Sequence, residues 1–235
     1  MAASFLRSFL SDYLITPLFD VVFPAECHIC ADSLEPDRKI ICLKCWREMP
    51  YFQHPTESLI AERHFNNLYV LYEFQETIRV LIHLLKYNHY LTLTKYFAAE
   101  IEKRFAFSHM KSLEAFVPVP LYKSRKRERG YNQSEEIARA LSQICGIPVM
   151  TYLLSRVRPT KTQTRMTREE RQINMQNVFE CPVDNPPRHV LLIDDVITTG
   201  STIQECTRAL KAAGCLQVDI LALAHPLIGK NRDSV

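Results

Sequence analysis

Two short stretches of this 235-residue chain carry residue types whose spacing could do chemistry. The first runs from Val190 to Thr202 and reads VLLIDDVITTGST: an apolar run, two adjacent carboxylates, two more apolar residues, then hydroxyls around one glycine. Such an apolar run makes a buried strand, and open α/β sheets bind their ligands beyond the C-terminal ends of the strands. The turn that follows opens a helix, whose first N–H groups have no partner within the helix. With the short hydroxyls of Thr198, Thr199, Ser201 and Thr202, and no side chain at Gly200, those groups can accept a phosphate. Asp194 and Asp195 would repel that phosphate unless each had its own partner, either hydroxyl groups or a divalent ion. A ligand with a phosphate a few ångströms from a vicinal diol satisfies both halves, and phosphorylated ribose is such a ligand. The plainer alternative is an acidic strand end that caps the next helix. No GxxxxGK[ST] and no GxGxxG occurs, so Walker-type and dinucleotide-type loops are excluded.

The second stretch holds Cys27, Cys30, Cys42 and Cys45, two CxxC pairs separated by eleven residues. That spacing can set four thiolates around one Zn²⁺ at about 2.3 Å. Four thiolates leave no open coordination position, so the zinc would be structural. Two disulfides are disfavoured without a secretory signal, and a redox dithiol would not need the second pair. His28 reads as a bystander. Cys145, Cys181, Cys206 and Cys215 are scattered and read as small buried hydrophobes.

The elements that must position these groups follow from hydrophobic spacing. Residues 76–87 and 91–107 repeat apolar positions every three or four residues and read as helices. Glu114–Pro120 reads as a buried strand. Residues 132–145 read as a helix with Asn132 or Ser134 as N-cap and Gly146 as its stop. Ile147–Leu154 and His189–Ile193 read as strands, Ser201–Ala213 as a helix, and Gln217–Ala224 as the last strand. Alternating strands and helices imply a mainly parallel sheet flanked by helices. Residues 1–19 read as an amphipathic helix, 20–50 as a zinc ribbon and 51–235 as the α/β domain. Arg156–Gln176 is polar and reads as a functional loop, with a surface helix over 166–176 as the alternative.

Composition bounds the remainder. The chain is 47% hydrophobic and 23% charged, which excludes disordered, collagenous and coiled-coil classes. Net charge is only +3, yet residues 121–171 hold 12 of the 29 Lys and Arg against five acids, a local +7. A local basic stretch suits phosphate or nucleic-acid contact, or a solvated helix face. The apolar N-terminus is interrupted by Arg7, Asp12, Pro17 and Asp20, which argues against a membrane span and for a cytoplasmic chain.

The Asp-Asp, two residues, Thr-Thr-Gly-Ser-Thr pattern resembles the phosphoribosyl diphosphate motif of type I phosphoribosyltransferases. The four-cysteine ribbon, Lys86-Tyr87, Pro118-Val119-Pro120-Leu121, Arg129-Gly130-Tyr131-Asn132-Gln133, and Gln163 followed by Arg171, Asn174 and Phe179 resemble the competence protein ComF family over about residues 20–224. This resemblance implies a type I phosphoribosyltransferase-like fold. It implies that Asp194 and Asp195 bind ribose hydroxyls, directly or through Mg²⁺, and that Thr198–Thr202 wrap the 5′-phosphate. Lys86 and the backbone around Val119 would lie near a pyrophosphate. Asn88 and His89 stand where the family commonly has a glycine shortly after this lysine. It also implies import of single-stranded DNA alongside a helicase-like ATPase, with Lys123, Arg125, Lys126, Arg127, Arg129 and Tyr131 as strand contacts; the same cations could instead clamp pyrophosphate. A nucleotide-salvage transferase and a non-catalytic scaffold are the competing readings, and the acceptor of any transfer is not written in the residues.

Overall fold

The computed structural model describes residues 25–35, 38–56, 59–60, 63–158 and 177–226. The expected N-terminal helix, most of the 156–176 loop, and Gln163, Arg171 and Asn174 lie outside these residues. The chain divides into two compact units after Met49.

In the first unit an antiparallel bridge, Glu26 with Ser33, closes the first cysteine knuckle. The turn is tied by the Ala31 N–H donating to the Cys27 carbonyl at 2.9 Å. Helix α1 (Leu43–Arg47) carries the second knuckle, and its N-cap is Cys42, whose Sγ accepts from the Cys45 N–H.

The second unit is built on β1 (Leu68–Glu73), α2 (Glu76–Tyr87), α3 (Thr92–Phe105), β2 (Ala115–Pro118), α4 (Lys123–Arg129), α5 (Gln133–Cys145), β3 (Ser155–Arg156), β4 (Phe179–Glu180), β5 (His189–Val196), α6 (Ser201–Ala212) and β6 (Gln217–His225). Four strands form one parallel sheet in the order β1-β6-β5-β2. The central strands β5 and β6 are near-continuous apolar runs because both of their faces are covered. Val190, Leu192, Val218 and Ile220 join a core with Ile203, Cys206 and Leu210 of α6. The alternate residues Leu191, Ile193 and Leu221 are buried as well, and α5 packs against β2, β5 and α3.

Asn132 is the N-cap of α5, its Oδ1 accepting from the Ser134 N–H at 3.1 Å, and Gly146 ends that helix with φ +73°. The strand expected over Ile147–Leu154 shrinks to one parallel bridge, Val149 with Phe116. Pro148 has no N–H to give a ladder, and the chain turns at Thr151 and Tyr152.

At the N-terminal edge of the sheet, His189 Nε2 lies 3.0 Å from Asp219 Oδ2 and His189 Nδ1 lies 3.0 Å from Ser112 Oγ. Asp219 Oδ1 also accepts from the Asn67 backbone N–H at 3.1 Å and side-chain amide at 3.0 Å. This buried network ties β5, β6 and the segment entering β1 at the end remote from the acidic tip.

Candidate functional site

Strand β5 carries the two acids near its C-terminal end, where its ladder continues through them: Asp194 pairs with Ala222 and Val196 with Ala224. Asp195 is 4% exposed, whereas Asp194 is half-buried. Two elements distant in sequence supply partners to Asp195, one a cation and one a neutral donor. Lys86, in the last turn of α2, places Nζ 2.9 Å from Asp195 Oδ2, and Gln133 donates its Nε2–H to the same oxygen at 2.7 Å. Asp194 Oδ1 accepts from the Asp195 N–H at 2.9 Å and from Ser134 Oγ at 3.2 Å. The first two residues of α5 thus hold one acid each. Burial, and then the Asp195 carboxylate, push the Asp194 carboxyl up to about 7, against the pull of the Asp195 N–H, Lys86 and Ser134.

The segment 129–134 supplies a contact from nearly every residue. Arg129 Nη1 donates to Gln133 Oε1 at 3.1 Å, and the Tyr131 hydroxyl donates to the Leu85 carbonyl. Gly130 turns the chain at φ +79°, and a Cβ there would sit 3.7 Å from His89. Asn132 Nδ2 donates to the Val119 carbonyl at 3.0 Å. Val119 is buried, and its N–H is spent on the Ile193 carbonyl at 2.9 Å, so it orders the β2 end through backbone contacts.

The turn after β5 is open at Thr198, which is exposed; Thr199, Ser201 and Thr202 are half-buried. Thr199 Oγ1 and Ser201 Oγ lie 3.0 Å apart, which brings two hydroxyls to the mouth of α6. Gly200 is the N-cap at φ +80°, and no acid occupies the first turn of α6, so the helix's own residues do not neutralise the positive end of its dipole. A Cβ at Gly200 would stand 2.6 Å from Ile60 Cδ1, so a larger residue would have to displace the tip of that side chain as well as adopt a left-handed backbone.

The basic residues form a separate surface. Lys123, Arg125, Lys126 and Arg127 are exposed on α4, and a cavity of about 540 Å³ is lined by Lys123, Lys126, Arg127 and Gly130. Arg129 and Tyr131 are half-buried. Arg156 of β3 lies over the Phe179 ring at 5.5 Å; burial first, then Arg125, lower its pKa, while Asp194 opposes them. Gln133 as a carboxylate partner and Arg156 as a neighbour of Asp194 were not assigned these positions from sequence. Pairings across more than 35 residues leave no local pattern, although Gln133 does sit in the quoted motif.

In the first unit the four cysteine sulfurs lie within 4.8 Å of one another, and Cys30 and Cys42 are 3.8 Å apart. A tetrahedron with metal–sulfur bonds of about 2.3 Å has edges of about 3.8 Å, so the donor set fits zinc. The Cys42 N–H donates to Cys27 Sγ at 3.4 Å. Burial raises the Cys27 thiol, but the backbone hydrogen bonds of Cys30, Cys42 and Ile29 outweigh it and bring the thiol to about 7. Among the described residues this is the one group of three or more metal donors.

The chain resembles known proteins over most of its length. The chain is 32% identical over 194 residues to competence protein F of Haemophilus influenzae, covering 78% of this chain and 84% of that protein. The chain belongs to the ComF family. Other ComF-related proteins include the DNA utilization protein YhgH of Escherichia coli, 25% identical over 206 residues (86% of this chain, 90% of that one). Competence protein ComFC of Bacillus subtilis is 23% identical over 199 residues (80% and 78%). The family model described as a phosphoribosyl transferase domain matches residues 127–234, which include the end of α4, all of α5, the acidic tip and the turn after β5. The fold expected from sequence, a phosphoribosyltransferase-type parallel sheet flanked by helices with a four-cysteine cluster near the N-terminus, is the one observed. Among the described residues no helix is long and apolar enough to cross a membrane.

Proposed function

We propose that this ComF-family protein serves DNA uptake by binding a phosphoribosyl diphosphate-type ligand and single-stranded DNA. The observation that carries the ligand half is the joint presence, at one strand end, of an open hydroxyl-rich helix mouth and two acids held in place by Lys86, Gln133 and Ser134. The turn receives the 5′-phosphate, and the acids face the ribose hydroxyls, with Asp194 the more accessible of the two. Lys86 stands where a diphosphate at C1 would need a cation, and Mg²⁺ would arrive with that diphosphate as its counter-ion. The DNA half is supported by the names of the relatives and by the exposed cations of α4. The four cysteines hold a structural zinc. The proposed partners are the strand itself and a helicase-like ATPase of DNA import.

The salvage reading differs in its product: a free base would displace pyrophosphate from C1 of the ribose. The α4 cation surface and the competence relatives favour strand binding over that reading. Thermal denaturation tests the ligand half. At a hundredfold excess over its dissociation constant, a ligand adds about 2.7 kcal/mol to native-state stability, which shifts the melting temperature of a 150–250-residue domain by about 5–10 °C. Phosphoribosyl diphosphate with Mg²⁺ should give such a shift, and Asp194→Asn/Asp195→Asn should remove it. An undiminished shift in the double variant refutes the site.

A further inference from the structure

The C-terminal end of α2 carries an aromatic and cationic group that the ligand site does not use. Tyr87 follows Lys86 directly, but its ring is 54% exposed, while the apolar face of the helix is turned inward through Ile78, Leu81, Ile82 and Leu85. The ring contributes little to the core, yet its surroundings are ordered. Arg129 lies with Cζ 4.9 Å from the Tyr87 ring centroid, and its Nη2 donates to the Tyr87 hydroxyl at 3.1 Å. The same guanidinium is anchored on its other branch by Gln133 Oε1 at 3.1 Å. His83, one turn earlier, places its ring 4.9 Å from that of Tyr87. A guanidinium held by two hydrogen bonds and lying over a half-exposed ring is a preformed surface with little side-chain entropy left to lose.

Its setting matters as much as its shape. On one side, the preceding residue is the lysine that reaches Asp195. On the other, Gly130 follows Arg129 and lines the cavity shared with Lys123, Lys126 and Arg127. Aromatic faces interleaved with cations that track a backbone are how proteins hold single strands without reading sequence, because every base offers a π-face. An acidic protein partner would engage the cations but gain nothing from the ring.

Resting on the strand-binding reading above, we infer that Tyr87 and Arg129 form a base-stacking platform for single-stranded DNA at the edge of the phosphoribosyl site, with the α4 cations following the phosphates beside it.

The test uses the full, zinc-loaded chain and a fluorescently labelled oligothymidylate, with anisotropy followed across a salt series. Loss of one stacked base weakens binding by about 5- to 160-fold, the effect expected of Tyr87→Ala, while Tyr87→Phe keeps the ring and stays near the parent affinity. Tyr87→Ala should leave the salt dependence unchanged, since no phosphate contact is lost. Lys126→Ala/Arg127→Ala should instead flatten the log–log salt slope by about 0.7 for each phosphate contact removed. An oligonucleotide carrying 2-aminopurine reports stacking directly: the parent should quench it and Tyr87→Ala should not. Full affinity and full quenching in Tyr87→Ala overturn the platform and leave strand binding standing. Equal losses in Tyr87→Ala and Tyr87→Phe assign the effect to the hydroxyl and overturn stacking. Absence of strand binding by the parent chain at low salt overturns the DNA half of the proposed function, and the platform with it.

Discussion

Gln133 is the residue on which the arrangement of the acidic tip leans most, and replacing it isolates one contribution. The side chain is 4% exposed, donates to Asp195 at 2.7 Å and accepts from Arg129 at 3.1 Å. Gln133→Met keeps volume, lack of branching and helix propensity, so the cavity and overpacking costs stay small. What is lost is a buried hydrogen bond to a carboxylate, worth about 1.5–3 kcal/mol, and a more exposed bond to Arg129, worth roughly 0.5 kcal/mol. Lys86 remains on Asp195, so the acid is not stranded without a partner. The expected loss is therefore about 2–3 kcal/mol, or a fall of about 5–10 °C in melting temperature. Urea denaturation with an unchanged m-value, read alongside calorimetry, is the assay. Gln133→Glu should be worse at neutral pH, because it replaces the donor with a second carboxylate beside Asp195, and should recover on acidification as that carboxyl protonates. A loss below about 0.5 kcal/mol in Gln133→Met, or a Gln133→Glu variant as stable as the parent at pH 7, would refute the assignment of Gln133 as the partner that holds Asp195.

Three further outcomes follow. The Asp194 carboxyl is raised to about 7 in the folded chain, so the native state binds more protons than the unfolded state from roughly pH 4 upward. Stability from this group is then complete below its unfolded pKa and is lost as pH rises through about 7; Asp194→Asn should raise the melting temperature at pH 8 and flatten its dependence between pH 5 and 8, as thermal melts across that range would show. Asp219→Leu removes the buried acceptor of His189 and Asn67 and should cost about 3–5 kcal/mol by chemical denaturation, with no comparable change in ligand affinity per folded molecule. Metal analysis should find one zinc per chain, and Cys42→Ser should abolish it while the second unit keeps its far-ultraviolet dichroism; retention of zinc in that variant would contradict the cluster.

What could be read from the residues alone depended on how local the cause was. The helix expected over residues 132–145 was legible, with Asn132 the one of its two candidate caps that the structure uses, because a capping amide and an amphipathic repeat both act within a few residues. Helix α4, with the sequence KSRKRER, went unread because no residue of it is buried, so no apolar period marks it. Strand β1, between the cysteine pairs and the strongly periodic α2, is likewise not legible by itself. Strand β5 was expected to stop at Ile193, where the apolar run ends, but its ladder to β6 carries the backbone through both acids. The hydroxyl-rich turn after β5, opening α6 at Gly200, was legible as a turn because a glycine and short hydroxyls act in place. The partners of the acids were not: Lys86, Gln133 and Ser134 meet Asp194 and Asp195 only because α2, α5 and β5 converge at one end of the sheet.

The most direct measurement is a crystal structure of the chain with phosphoribosyl diphosphate and Mg²⁺ at saturating concentration. The account predicts the 5′-phosphate within hydrogen-bond distance of the Thr198–Thr202 backbone and hydroxyls, and the ribose hydroxyls against Asp194 and Asp195. Density for the ligand on the α4 cations alone, or a vacant turn at full saturation, would contradict it.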